Sequence, residues 1–262
     1  MNKAAGIDNA RRVGRALVHR FGIEAARHVF VEGFAARLGV EIIVAPLDGA
    51  TAQLAVRNGE SARILLSDRL TNPAIRRLTI GHELGHYVLK HPSRPPSELC
   101  DATWRGHPPG DSRDLEAEAN AFSAEILMPA NLALPMCDVD VASLEPAIRI
   151  AHRFGMSLHA SAIRFTELTP QPCAAVLSER GIVRWIAPSA TFNGTILVGR
   201  SLDGRSAAGR YFETGELLSR MMSVPAPAWL ETFAEDTIME HSITCPETGS
   251  VLTMLWQPCP RG

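Results

Sequence analysis

The segment from Thr71 to His91, TNPAIRRLTIGHELGHYVLKH, constrains the fold more than any other stretch of the chain. It opens with a helix start signal. Asn72 can accept hydrogen bonds from the first free N–H groups, and Pro73 suits the first helical position, where its missing N–H is not needed. The predicted helix carries Gly81 and Gly85, one turn apart. Glycine costs about 1 kcal/mol relative to alanine in a helix interior, so this pair predicts that another element packs very close. His82 and His86 share one helical face, with Glu83 directly after the first histidine.

On a helix, the H-E-x-x-H spacing lets two imidazoles hold one ion, with the glutamate as general base toward a metal-activated water. His82 and His86 are therefore candidate ligands and Glu83 the candidate catalytic residue. Zinc is the metal expected of such a set, and manganese can share it. A third ligand is required. His91 follows His86 by five residues, whereas the metzincin pattern needs six with a glycine between. At about 100° per residue His91 also turns off the ligand face. It is read as a C-terminal helix residue favoured by the dipole, or as a partner of a ligand. Tyr87 points about 100° away from His86 and is read as packing, or as a donor in the transition state. A second strong helix, Arg113 to Met128, is the better source of a ligand. It carries Asp114, Glu116, Glu118 and Glu125. Asp114, Glu118, Phe122 and Glu125 fall along one face, and Glu116 points to a different side with Asn120 one turn on.

The remaining chain reads as a mixed α+β protein. Helices are predicted over 8–20, capped by Asp8, and over 24–38, stopped by Gly39. Val40–Leu47 is rich in β-branched residues and reads as a strand. Asn58-Gly59 between two apolar runs predicts a hairpin whose second strand is Ala62–Ser67. The loop Pro92–Ser112 is rich in Pro and Gly. It can act as a lid, with His107 able to swing toward the metal and Cys100 able to occupy its open position. Residues 144–168 read as two short helices around Phe154-Gly155, with Arg149, Arg153 and Arg164 as basic surface. Beyond Gln171, short β-type runs such as AAVLSE, IVRWIA, TILVG and SVLTMLW alternate with Gly and Pro, and Trp185, Trp229 and Trp256 read as core.

Bulk properties exclude several classes. A net charge of −2 and a pI near 6.5 give no basic field for nucleic acid or an anionic membrane. No stretch approaches the roughly 20 apolar residues of a membrane span. The five cysteines contain no C-x-x-C pair, and the N-terminus has no apolar signal core. A cytoplasmic protein without a disulfide framework is expected.

LTIGHELGHYVLKH followed by EAEANAFSAEILMP resembles the ImmA/IrrE family of cytoplasmic zinc metallopeptidases. In the second block Ser123 stands where the family pattern has an alanine. The resemblance covers about residues 8–168 and implies a zincin-like core with a small mixed sheet, and Glu118 as the third zinc ligand. It implies limited proteolysis of a helix-turn-helix transcriptional repressor. The strand holding Ile64, Leu65 and Leu66 is expected to lie beside the cleft and to pair with the extended substrate. Longer members carry a GAF-like sensor domain, which implies a small-molecule or signal ligand here. The domain organisation expected is a peptidase domain over 1–134, a helix-turn-helix-like segment over 135–170 and a β-rich, GAF-like domain over 171–262. A second reading is a regulator that does not cleave, senses a metal or ligand, and binds DNA or a repressor through 144–168. Glu145 and Glu167 dilute the positive charge there and disfavour direct DNA binding.

Overall fold

The computed structural model describes residues 3–57, 61–92 and 111–258. Packing groups the chain into two units, Met1–Leu132 with His152–Ser157 and Ala133–Ala151 with Leu158–Gly262.

The first unit begins with α1 (Lys3–Arg20). The helix starts ahead of Asp8, which therefore lies inside it rather than capping it. The helix expected over 24–38 is broken. A 3-10 turn, Ala26–His28, precedes α2 (Val31–Arg37). Val29 between them is extended, and its carbonyl accepts from Arg77 at 3.1 Å instead of closing a helical turn.

Three strands follow: β1 (Val40–Ala45), β2 (Ala52–Arg57) and β3 (Ser61–Ser67). β2 and β3 pair antiparallel, from Ala52↔Leu66 to Arg57↔Ser61, as the hairpin signal predicted. The Asn58-Gly59 turn itself lies outside the described residues. The sheet order is β1-β3-β2, with β1 parallel to β3. This corrects the expected docking strand. Ile64, Leu65 and Leu66 belong to the central strand, whose backbone groups are paired on both sides, and Ile64 and Leu66 are fully buried. The edges of this sheet are β1 and β2.

Helix α3 (Pro73–Val88) starts as predicted, with the Asn72 side chain accepting from the N–H groups of Ala74 and Ile75 at 3.0 and 3.2 Å. Its glycines face α4 (Asp111–Leu127). A Cβ at Gly81 would stand 2.6 Å from Ser123 Oγ, and one at Gly85 would stand 2.9 Å from both Cα and O of Ala119. The second clash is with backbone, which cannot swing away. Gly85→Ala is therefore expected to destabilise the protein by about 1–3 kcal/mol, despite the better helix propensity of alanine. A lowered urea midpoint would show it, and an unchanged or raised midpoint would contradict the close packing.

Further along lie α5 (Ala130–Cys137), α6 (Leu144–Phe154) and α7 (Leu158–Leu168). The turn between α6 and α7 uses Gly155 at φ 63°. Arg164, expected as basic surface, is 1% exposed and donates to Glu167 at 3.0 Å. Much of α7 is buried where it packs on β4 (Cys173–Glu179) and β5 (Ile182–Pro188), so its polar side does not form an open reading face.

Helix α8 (Ala207–Thr214), β6 (Met222–Pro225), β7 (Thr237–Cys245) and β8 (Ser250–Trp256) complete the second unit. Its antiparallel sheet has the order β5-β4-β8-β7-β6. TILVG is not a strand. It runs irregularly, with Leu197 and Val198 exposed. Trp185 and Trp229 are core as expected, and half-buried Trp256 donates to Gln171. Glu240 is fully buried and accepts from the N–H groups of Ala207 and Ala208, from Trp229 Nε1 and from Ser242 Oγ. Four donors satisfy this carboxylate and tie α8 to the sheet.

Candidate metal centre

Close approach of α3 and α4 sets which side chains can meet. Ala119 and Ser123 sit against Gly85 and Gly81, with Leu127 also against Gly81. The face of α4 turned to α3 is therefore 119-123-127, and Glu116, one turn before Ala119, continues it toward His82 and His86. Glu116 Oε2 lies 3.1 Å from His82 Nε2, and Glu116 Oε1 lies 3.1 Å from His86 Nε2. The three residues each offer one ligand atom within 4.8 Å of the others, and no second such group occurs among the described residues.

Glu118 occupies a different position. The face holding Glu118, Phe122 and Glu125 exists as the sequence suggested, but it turns toward α1. A Cβ at Gly6 would run into the Glu118 carboxylate, and one at Gly14 would stand 2.9 Å from Glu125 Cβ. Glu118 Oε2 is 3.3 Å from His91 Nε2 rather than beside His82. The helical wheel identified a real stripe and not which neighbour it faces. Alanines at 117, 119, 121 and 124 make several sides of α4 small, so the wheel alone could not choose. The discriminating signal was the glycine pair of α3, which demands small partners four residues apart and finds them at Ala119 and Ser123.

His82 and His86 are buried on the ligand face, and Glu83 between them is 6% exposed. His82 Nδ1 is 2.8 Å from Asn120 Oδ1. That oxygen only accepts, so His82 Nδ1 carries the proton and the neutral ring keeps its lone pair on Nε2. His86 Nδ1 is engaged by His91 Nδ1 at 2.9 Å. Burial pushes the His86 pKa down, against the raising influence of Glu116, which favours a neutral ligand. The two Nε2 atoms stand 3.0 Å apart. With both Nε2 atoms unprotonated, two lone pairs and a carboxylate converge at this range, an arrangement that a shared proton or a metal cation would stabilise. The donor set of two imidazoles and one carboxylate fits a metal ion and leaves coordination positions open. Asn120, which sequence reasoning noted but gave no role, orients His82. Tyr87 is half-buried, and its hydroxyl has no hydrogen bond among the described residues. His107 and Cys100 lie outside the described residues.

A profile of the IrrE N-terminal-like domain, Peptidase M78, matches residues 35–166, just over half of the chain. The protein belongs to the ImmA/IrrE family. The profile spans both α3 and α4, so the metal cluster lies within the family domain, and the family is of metallopeptidase type. Helix α1, which packs on α4, precedes the matched region. Among solved structures, a Mycobacterium tuberculosis transcriptional regulator is similar, with a TM-score of 0.51 and 10% identity over 95% of this chain and 87% of its own. At that identity the likeness shows the fold alone. No curated protein matches the chain. No helix among the described residues is long and apolar enough to cross a membrane.

Proposed function

We propose that this ImmA/IrrE protein is a zinc endopeptidase that cleaves a helix-turn-helix transcriptional repressor at a limited site. The observation that carries the reading is the convergence of His82 Nε2, His86 Nε2 and the Glu116 carboxylate on one point. His82, His86 and Glu116 would hold the ion. When bound, zinc would supply Lewis acidity that activates water and polarises the scissile carbonyl. Glu83 accepts the proton of the attacking water and returns it to the leaving amine. An extended substrate pairs with the edge of β2, the edge strand that packs against α3, by strand addition. The repressor as substrate, and release of stress-response or mobile-element genes by its cleavage, follow from the family resemblance.

The C-terminal strands form a GAF-like sensor in this reading, and a small molecule bound there would regulate cleavage. Thermal-shift screening of the full chain checks this, with a ligand-dependent rise in midpoint expected.

The direct test of the proposed activity is cleavage of a candidate helix-turn-helix repressor by the metal-loaded protein. Chelation is expected to abolish cleavage, and zinc is expected to restore it better than manganese. Cleavage that survives complete removal of the metal would refute the metallopeptidase mechanism.

A further inference from the structure

We propose that His91 and Glu118 are positioning residues for His86, joined to it in one hydrogen-bonded chain that fixes its tautomer and direction. The inference rests on the reading of His82, His86 and Glu116 as the metal ligands and deepens it.

The chain runs from Glu118 Oε2 to His91 Nε2 at 3.3 Å, then from His91 Nδ1 to His86 Nδ1 at 2.9 Å. A carboxylate only accepts, so the proton of His91 sits on Nε2. Neutral His91 then presents a lone pair at Nδ1, and His86 Nδ1 must donate to it. That leaves the lone pair of His86 on Nε2, the atom that faces Glu116 Oε1 and His82 Nε2. For neutral rings the chain has one proton assignment, and it is the one a metal ligand needs. An outer carboxylate of this kind also makes the ligand more basic and fixes its ring plane. The pair is shielded from water, with the side chains of His91 and Glu118 5% and 12% exposed, and shielding strengthens such bonds.

The backbone is built to place His91 there. Helix α3 ends at Val88 with Leu89 as its C-cap, and Lys90 takes a left-handed conformation at φ 56°. Lys90 N–H donates to the Tyr87 carbonyl at 3.2 Å, and His91 N–H donates to the His86 carbonyl at 3.0 Å. This is a Schellman termination with lysine where glycine is usual, a conformation that a Cβ-bearing residue resists. The turn folds His91 back beside His86, whereas a continued helix would carry it off the ligand face. From the other side, α1 confines Glu118, because any side chain at Gly6 would meet its Oε1. Helix α1 lies outside the matched region 35–166, so this support comes from the chain's own N-terminal helix.

The test measures zinc affinity of the full-length protein by competition with a chromophoric chelator. The visible spectrum of the cobalt form and the melting midpoint of the metal-free form accompany it. His91→Leu and Glu118→Leu are each expected to weaken zinc about 10- to 100-fold and to shift the cobalt bands. The double variant is expected to be no weaker than the worse single one, because Glu118 acts through His91. His91→Gln, whose amide oxygen can accept from His86 Nδ1, should recover most of the affinity. Gly6→Ala should weaken zinc without lowering the metal-free midpoint, since its methyl displaces only the end of Glu118. If His91→Leu fails to fold, His91→Gln and Gly6→Ala decide the matter between them. Wild-type affinity in His91→Leu, or additive losses in the double variant, would overturn the inference while leaving the metal centre intact. Failure of the wild-type protein to bind zinc, or full binding by Glu116→Ala, would instead remove the metal-centre reading on which it rests.

Discussion

Glu116→Ala is expected to strip the metal from the protein, weakening binding by well over the roughly 100-fold that loss of an outer partner costs. Both oxygens of Glu116 reach the cluster, one at 3.1 Å from each Nε2. Its removal leaves two neutral imidazoles and no anionic ligand to balance a divalent cation. The fold should survive, because Glu116 is only half-buried and the α3–α4 packing runs through Gly81, Gly85, Ala119 and Ser123. His86 should remain neutral without Glu116, since burial already holds its pKa down and Glu116 only raises it. Metal content after dialysis against a buffered metal solution measures the effect. Glu118→Ala is the control, with a partial loss of affinity expected. Full metal in Glu116→Ala and none in Glu118→Ala would move the third ligand back to Glu118.

The difference between these two glutamates shows where sequence reasoning succeeds and where it stops. Local signals carried through. Asn72 and Pro73 start α3, Gly81 and Gly85 sit against another helix, and the runs flanking Asn58-Gly59 pair in register. Each of these depends on a few neighbouring residues and the backbone geometry they allow. Decisions that depend on a distant partner were not legible. The hairpin signal could not reveal that β1 adds to the far side of β3, which buries the strand expected to dock a substrate. Val29 reads as part of a helix until Arg77, far along the chain, takes its carbonyl. The wheel projection turned His91 off the ligand face, and the structure returns it beside His86 as a partner because α3 ends at Val88 and Lys90 is left-handed. A left-handed lysine gives no sequence warning of the kind that glycine gives. The metal centre combined both cases. One helix of ligands was spelled out by spacing, and the carboxylate came from a helix whose rotation only tertiary packing decides.

Glu83→Gln separates chemistry from binding at this centre. Glutamine keeps the size of the side chain and much of its hydrogen bonding, but it cannot take a proton from water. Glu83 is 6% exposed on the same turn of α3 as His82 and contributes no atom to the three-residue cluster. Metal content and melting midpoint should therefore stay near wild type. Cleavage should fall by about 10²–10⁴-fold, the range lost with a general base. That corresponds to roughly 3–5 kcal/mol of barrier, more than a small displacement of the substrate would cost. A single-turnover cleavage assay with metal-loaded protein reads it directly. The alternative of a regulator that holds a metal without cutting predicts no cleavage by either protein and an unchanged regulatory response in Glu83→Gln. Wild-type cleavage by metal-loaded Glu83→Gln would leave this carboxylate without the role of base, and another group would have to accept the proton.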